Sequence, residues 1–257
     1  MKKELQAFDR LLEIMDELRE KCPWDKKQTI ETLRSLTIEE TYELADAIIK
    51  NDLNELKKEL GDLLLHIVFY AKIGSEKNEF DITDVINGIN EKLVHRHPHV
   101  FGDTKVADHK EVEENWEQIK LKEKDRDNSV LSGVPDSLPA LVKANRVQQK
   151  VRGVGFDWEE RTQIWDKVKE EIAELEHEVE SEDQEKIESE FGDVFFSLIN
   201  AARLYDIDPE TALERTNKKF IKRFNFLEEQ TLKKGISLKD MSLDEMNVIW
   251  ERAKKYD

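Results

Sequence analysis

The chain has one cysteine, Cys22, so no intrachain disulfide can form, no thiolate spacing marks a metal site, and a reducing compartment is the simplest setting. Nine glycines and five prolines among 257 residues are too few for turn-dense β structure or flexible linkers. No run approaches the roughly 20 apolar residues that a membrane-crossing helix needs. After Met-Lys-Lys the N-terminus continues Leu5, Phe8, Leu11, Leu12, Met15, Leu18, the spacing of an amphipathic helix and not a signal core. The expectation is a cytoplasmic protein with no membrane partner. Positive charge is also short: 41 Lys and Arg against 58 Asp and Glu give a net −17, which argues against a general surface for nucleic-acid polymers.

What is present is charge and period. Charged residues reach 39% and apolar ones only 38%, a balance that raises the question of disorder, yet the apolar residues recur with helical spacing throughout. The length suits one large or two ordinary domains. Helical patterns run over 4–20, 31–50, 53–73, 82–95 and 110–124, and again over 140–151, 161–180, 184–205, 210–233 and 243–255. Between them, 125–139 combines turn formers with two prolines, which marks a linker between a first unit, 1–124, and a second, 140–257. Asp208 before Pro209 reads as an N-cap with a first-turn proline, and Ser242 with Glu245 as a capping box. Strand signals are nearly absent, so the fold class is all-α.

The two halves repeat. Glu39-Glu40-Thr41-Tyr42-Glu43 is followed after fifteen residues by Glu59-Leu60-Gly61-Asp62, and Glu170-Glu171-Ile172-Ala173-Glu174 after fifteen by Glu190-Phe191-Gly192-Asp193, at a constant offset of 131. Asn90-x-Lys92-Leu93-x-x-Arg96 then matches Asn217-x-Lys219-Phe220-x-x-Arg223, and Trp116-Glu117-x-x-Lys120 matches Trp250-Glu251-x-x-Lys254. Order and spacing persist through three blocks, the signature of a tandem repeat.

Acids three apart share a helical face. Glu171 with Glu174 and Glu190 with Asp193, like Glu40 with Glu43 and Glu59 with Asp62, can converge from two antiparallel helices, where they would repel without a cation. An all-oxygen donor set suits Mg²⁺, with Mn²⁺ as a substitute. Any one such pair in so acidic a chain reads first as solvated surface; its duplication beside apolar runs favours a site. A carboxylate-held ion is a common device for binding phosphate, and Lys219 and Arg223, four apart, offer cations for a phosphate tail. Trp250 can stack on a base or pack in the core. Lys167 and Lys186 precede Glu171 and Glu190 by four residues, whereas their first-half counterparts are Leu36 and Glu55; the second repeat is therefore favoured for catalysis. His95-Arg96-His97-Pro98-His99 reads as a helix end more than as a metal site. Glu174-x-x-His177 leaves a di-iron carboxylate protein as an alternative, and a non-catalytic acidic module that binds a partner is another. The apolar stretch Leu63–Ala71 is too rich for one packing face and points to a homodimer.

At these residues the chain resembles the MazG-type nucleoside triphosphate pyrophosphohydrolases in their two-repeat form, within the all-α NTP pyrophosphatase superfamily. Both copies satisfy Glu-Glu-x-x-Glu, a spacer, then Glu-x-x-Asp. Cys22-Pro23-Trp24-Asp25, Arg96-His97-Pro98-His99-Val100-Phe101 and Val154-Gly155-Phe156-Asp157-Trp158 also look like family signatures. The resemblance implies two tandem helical bundles and Mg²⁺-dependent hydrolysis of nucleoside triphosphates to monophosphate and pyrophosphate. It makes Glu171, Glu174, Glu190 and Asp193 metal ligands, with Glu40, Glu43, Glu59 and Asp62 as first-repeat counterparts. It makes Lys167, Lys186, Lys219, Arg223 and Trp250 nucleotide contacts, and Glu170 a second carboxylate or a base that orients water.

Overall fold

A computed structural model describes residues 2–108, 111, 112, 115, 116, 119, 129–233 and 235–256. Among these every regular element is helical. The helix expected over 110–124 lies mostly outside the described residues, as do residues 125–128 of the expected linker. Two compact units divide the chain, Met1–Val112 and Glu113–Asp257.

The first unit holds α1 (Lys3–Lys21), α2 (Ile30–Lys50), α3 (Leu53–Glu76), α4 (Ile82–Arg96) and the single turn α5 (Pro98–Phe101). Capping boxes start two of them: Thr29 with Thr32 opens α2, and Asp81 with Asp84 opens α4, each satisfying amide donors the first turn leaves unpaired. The apolar stripes of α1, α2 and α3 meet in a core of Met15, Leu33, Val68, Phe69 and Ile73. Over its edge Arg19 lies on the Phe69 ring, 5.5 Å from its centre, and its guanidinium donates to Glu76 at 2.6 and 3.0 Å. In the apolar stretch of α3, Val68, Phe69 and Ala71 are buried while Leu64 and Ile67 are exposed; the excess apolar surface points outward.

The second unit holds α6 (Ala140–Arg152), α7 (Ile164–Ser181), α8 (Gln184–Leu204), α9 (Pro209–Leu232) and α10 (Leu243–Ala253). Asp208 accepts from the Thr211 amide with Pro209 in the first turn, and Ser242 with Glu245 forms the expected box. Helix α7 begins three residues later than patterning from 161 predicts. Residues 160–163 form a turn instead, in which the Gln163 side chain accepts from the Glu160 amide at 3.1 Å. Ile164, Val168 and Ala201 form the core between α7 and α8. The turn-rich segment is tied to this unit, because the buried Lys150 donates to the carbonyls of Val130 and Ser132 at 3.2 and 3.3 Å.

In each unit one tight turn builds the acid-bearing hairpin, and its geometry repeats at the offset of the sequence. Asn51 and Glu182 both take left-handed backbone, φ 54° and 57°, and the next residue, Asp52 or Asp183, caps the following helix. Asn tolerates this conformation, whereas a longer side chain is strained there. Glu182→Gly is therefore expected to stabilise the protein by about 1 kcal/mol, read as a higher urea midpoint at unchanged slope.

Candidate functional site

These turns make each hairpin antiparallel and fix which residues meet. In the first, Thr37 and Tyr70 share a hydrogen bond of 2.8 Å, and further along α2 Glu40 and Glu43 meet Glu59 of α3, with carboxylate oxygens all within 4.8 Å of one another. In the second, Trp165 Nε1 donates to the Tyr205 hydroxyl at 2.9 Å, and Glu171, Glu174 and Glu190 converge to the same limit. Asp62 and Asp193 stand outside these threefold groups, yet their charges reach Glu40 and Glu190.

Crowding and burial strain the charged state of these acids. Glu59 is only 4% exposed, and its Oε2 is buried without a hydrogen-bond partner. Burial first, then a hydrogen bond with Glu55 and the charge of Glu43, pushes its carboxyl up to about 7. Burial, Asp62 and Glu43 raise Glu40, with His66 opposing them. Burial, then Glu174, Asp193 and Glu171, raises Glu190. Partly buried carboxylates sharing one space favour the proton or a cation. The all-oxygen donor set and the unsatisfied Glu59 Oε2 fit a hard divalent ion.

The repeats differ in their cations. Lys167 lies 2.7 Å from Glu171 and 2.9 Å from Glu170, and these two partners, Glu171 first, hold its ammonium above the ordinary lysine range. Lys186 turns instead to Glu178 and Asp183, at 3.7 and 3.9 Å. In the first repeat Leu36 takes the place of Lys167, while Glu55 takes that of Lys186 and binds Lys58 at 2.6 Å.

Lys219, Arg223 and Trp250 are carried by α9 and α10. The Arg223 guanidinium lies 5.7 Å from the centre of the Trp250 ring, which also packs on Phe220 at 5.0 Å. Lys219 faces solvent. His97 is held at the end of α4 through its Nδ1 and the Leu93 carbonyl, 2.6 Å apart, and His177 is exposed and outside the converging group. Two features escaped the sequence reading. His66 is buried with an unpartnered Nδ1, and the buried Arg203 grips Asp157 through both guanidinium nitrogens, one bond measuring 3.0 Å. The Asp157 in its signature segment was a signal for the second; His66 had none.

The sequence that builds these two hairpins is similar to that of proteins of known kind. The MazG nucleotide pyrophosphohydrolase domain matches residues 28–101 and again 159–226. The chain belongs to the MazG family. The nucleoside triphosphate pyrophosphohydrolase/pyrophosphatase MazG of Thermotoga maritima is 43% identical over 97% of this chain and 96% of its own. The nucleoside triphosphate pyrophosphohydrolase of Escherichia coli is 41% identical over 98% of this chain and 99% of its own. The Bacillus subtilis protein YabN is 48% identical over 96% of this chain, which spans 52% of that longer protein. Both MazG matches contain one converging acid triplet, so the tandem all-α architecture and the acid clusters are parts of one repeated design.

Proposed function

We propose that the chain hydrolyses nucleoside triphosphates to monophosphate and pyrophosphate with Mg²⁺, and that the second repeat is its active site. The observation that carries this reading is the convergence of Glu171, Glu174 and Glu190 beside Lys167, a cation the first repeat replaces with Leu36. Glu171, Glu174, Glu190 and Asp193 would hold the ion, with Glu40, Glu43, Glu59 and Asp62 as the corresponding set in the first repeat. Bound Mg²⁺ supplies positive charge for phosphoryl oxygens and polarises the attacking water.

The chain's own residues do the rest. Lys167, drawn off Glu171, would bind a phosphate oxygen, and Lys186 would exchange its loose pairs with Glu178 and Asp183 for the triphosphate tail. Losing Lys167 leaves the exposed Glu170 free to accept a proton from water attacking the α-phosphorus. As the new P–O bond forms, the bond to the bridging oxygen breaks and pyrophosphate leaves with its electrons. Arg223, with Lys219, would meet phosphate, and the half-buried Trp250 beneath Arg223 fixes that guanidinium or offers its edge to the base.

Association with a second copy is supported by exposed apolar residues at matching places in the two repeats, Leu60, Leu64 and Ile67, and Phe191, Phe195 and Leu198. No helix among the described residues is long and apolar enough to cross a membrane. The activity is tested by incubating the protein with a panel of standard and damaged nucleoside triphosphates and measuring pyrophosphate. Release is expected with Mg²⁺ or Mn²⁺ and none after chelation. No product from any nucleotide would favour the acidic partner-binding module.

A further inference from the structure

The second acid cluster carries a cation of its own. Glu171 is only 7% exposed, and its carboxylate takes the Lys167 ammonium at 2.7 Å, from one turn back along α7. The same ammonium reaches the exposed Glu170 at 2.9 Å. A lysine placed before its acid is the weaker order for a helical pair, and pairs in open solvent contribute little. This pair differs because Glu171 is buried and because one ammonium serves two carboxylates, which hold it above the ordinary lysine range, Glu171 first. Other lysines of α7 and α8 are bound elsewhere: Lys169 pairs with Asp166 at 3.1 Å, and Lys186 with Glu178 and Asp183. In the first repeat Leu36 stands where Lys167 would be, and there the buried Glu59 keeps an oxygen with no hydrogen-bond partner. An ammonium seated on Glu171 competes with a divalent ion for that carboxylate and repels the ion at close range.

We infer that Lys167 is a latch that couples the two ligands of the second repeat: held on Glu171, it keeps the acid cluster from binding a divalent ion by itself, and a triphosphate releases the cluster by drawing the ammonium onto its own oxygens. A triphosphate chain offers more negative charge and more acceptor oxygens than the carboxylate it replaces. Ion and nucleotide therefore enter the site together. The coupling is reciprocal, because an ion on Glu171 sets Lys167 free for phosphate. The first repeat, with Leu36, has no such latch. The inference rests on the proposed reading of the second repeat as a metal-dependent nucleotide site and adds to it the dependence of one ligand on the other.

The test is Mn²⁺ binding, followed by electron paramagnetic resonance of the free ion, to the full chain carrying Glu40→Gln and Glu43→Gln, so that the second cluster is read alone. Without nucleotide, adding Lys167→Met should tighten Mn²⁺ binding roughly tenfold. Adding Lys169→Met instead, which removes an ammonium bound away from the cluster, should change it by less than about twofold. An α,β-methylene nucleoside triphosphate should then tighten Mn²⁺ binding in the background chain by a factor roughly tenfold larger than in Lys167→Met, after subtraction of the ion that free nucleotide chelates. Equal Mn²⁺ affinity with and without Lys167, the same gain from Lys169→Met, or a nucleotide effect of equal size in both chains would each overturn the latch and leave the metal-dependent reading standing. Failure of all these proteins to bind Mn²⁺, with nucleotide or without, would overturn both.

Discussion

Glu174→Gln is expected to lower nucleoside triphosphate turnover by roughly 10³-fold or more while helical content and thermal midpoint stay at or slightly above those of the parent. The substitution is nearly isosteric but withdraws one of the three converging carboxylates of the second repeat. It does so on an exposed side chain, so little packing is lost. It also removes a like charge that helps hold Glu190 above its ordinary carboxylate value, which is why the metal-free protein should not become less stable. The matched change Glu43→Gln, at the equivalent first-repeat position, should leave turnover within about twofold if the second repeat alone does the chemistry. Rates of pyrophosphate release from parent and both variants decide the matter. Undiminished activity in Glu174→Gln would remove the second repeat as the active site, and parallel losses in both variants would mean that both sites work.

Arg203→Ala is expected to cost about 3 kcal/mol or more of stability, measured by urea unfolding. Arg203 sits on α8 almost wholly buried, and it bridges Asp157 and Asn200. That bridge fastens the segment after Gly155, which turns with φ +84°, onto the acid-bearing hairpin. Truncation leaves the Asp157 carboxylate partly buried, with the Trp158 backbone and the more distant Arg152, 3.7 Å away, to answer it. Arg203→Lys should recover part of the loss, since a single ammonium cannot reproduce the two-pronged contact. Burial by itself would push the Asp157 carboxyl up. The hydrogen bond from Arg203, another from the Trp158 backbone and the charges of both arginines outweigh it, and the carboxyl lies below its ordinary 3.8. A depressed folded-state value means the unfolded chain binds this proton first as pH falls. The pair's contribution is therefore complete above about pH 4 and lost as pH drops through the folded value. Arg203→Ala should flatten that acid limb; an unchanged acid limb would show that the pair carries no such stability.

The helices were legible because each carries its own evidence: apolar residues at helical spacing, and caps such as Asp208 with Pro209 or Ser242 with Glu245. Where patterning failed, at residues 161–163, polar side chains satisfied the backbone in a turn instead, a competition that hydrophobic period does not register. The acid pairs were legible for the same reason, since three residues apart on a helix means one face. Partners across helices were not. Lys186 is four residues from Glu190, the spacing that brings Lys167 to Glu171, yet it pairs with Glu178 on the neighbouring helix. His66 passed as one more residue of an apolar run, and nothing local distinguishes a buried unsatisfied imidazole from an exposed one.

The duplication, the all-helical class, the order of the acids and the cation difference between repeats are properties of the linear chain. Helical period and constant offset are local quantities, so the sequence by itself determined them. Which oxygens meet is different. It depends on the register of one helix against another, set by the left-handed turns at Asn51 and Glu182 and by the packing of each hairpin core. Only the tertiary structure could place three of the four acids in each repeat within reach of one ion and bury Glu59 and His66, because burial and convergence arise from surfaces brought together across the fold.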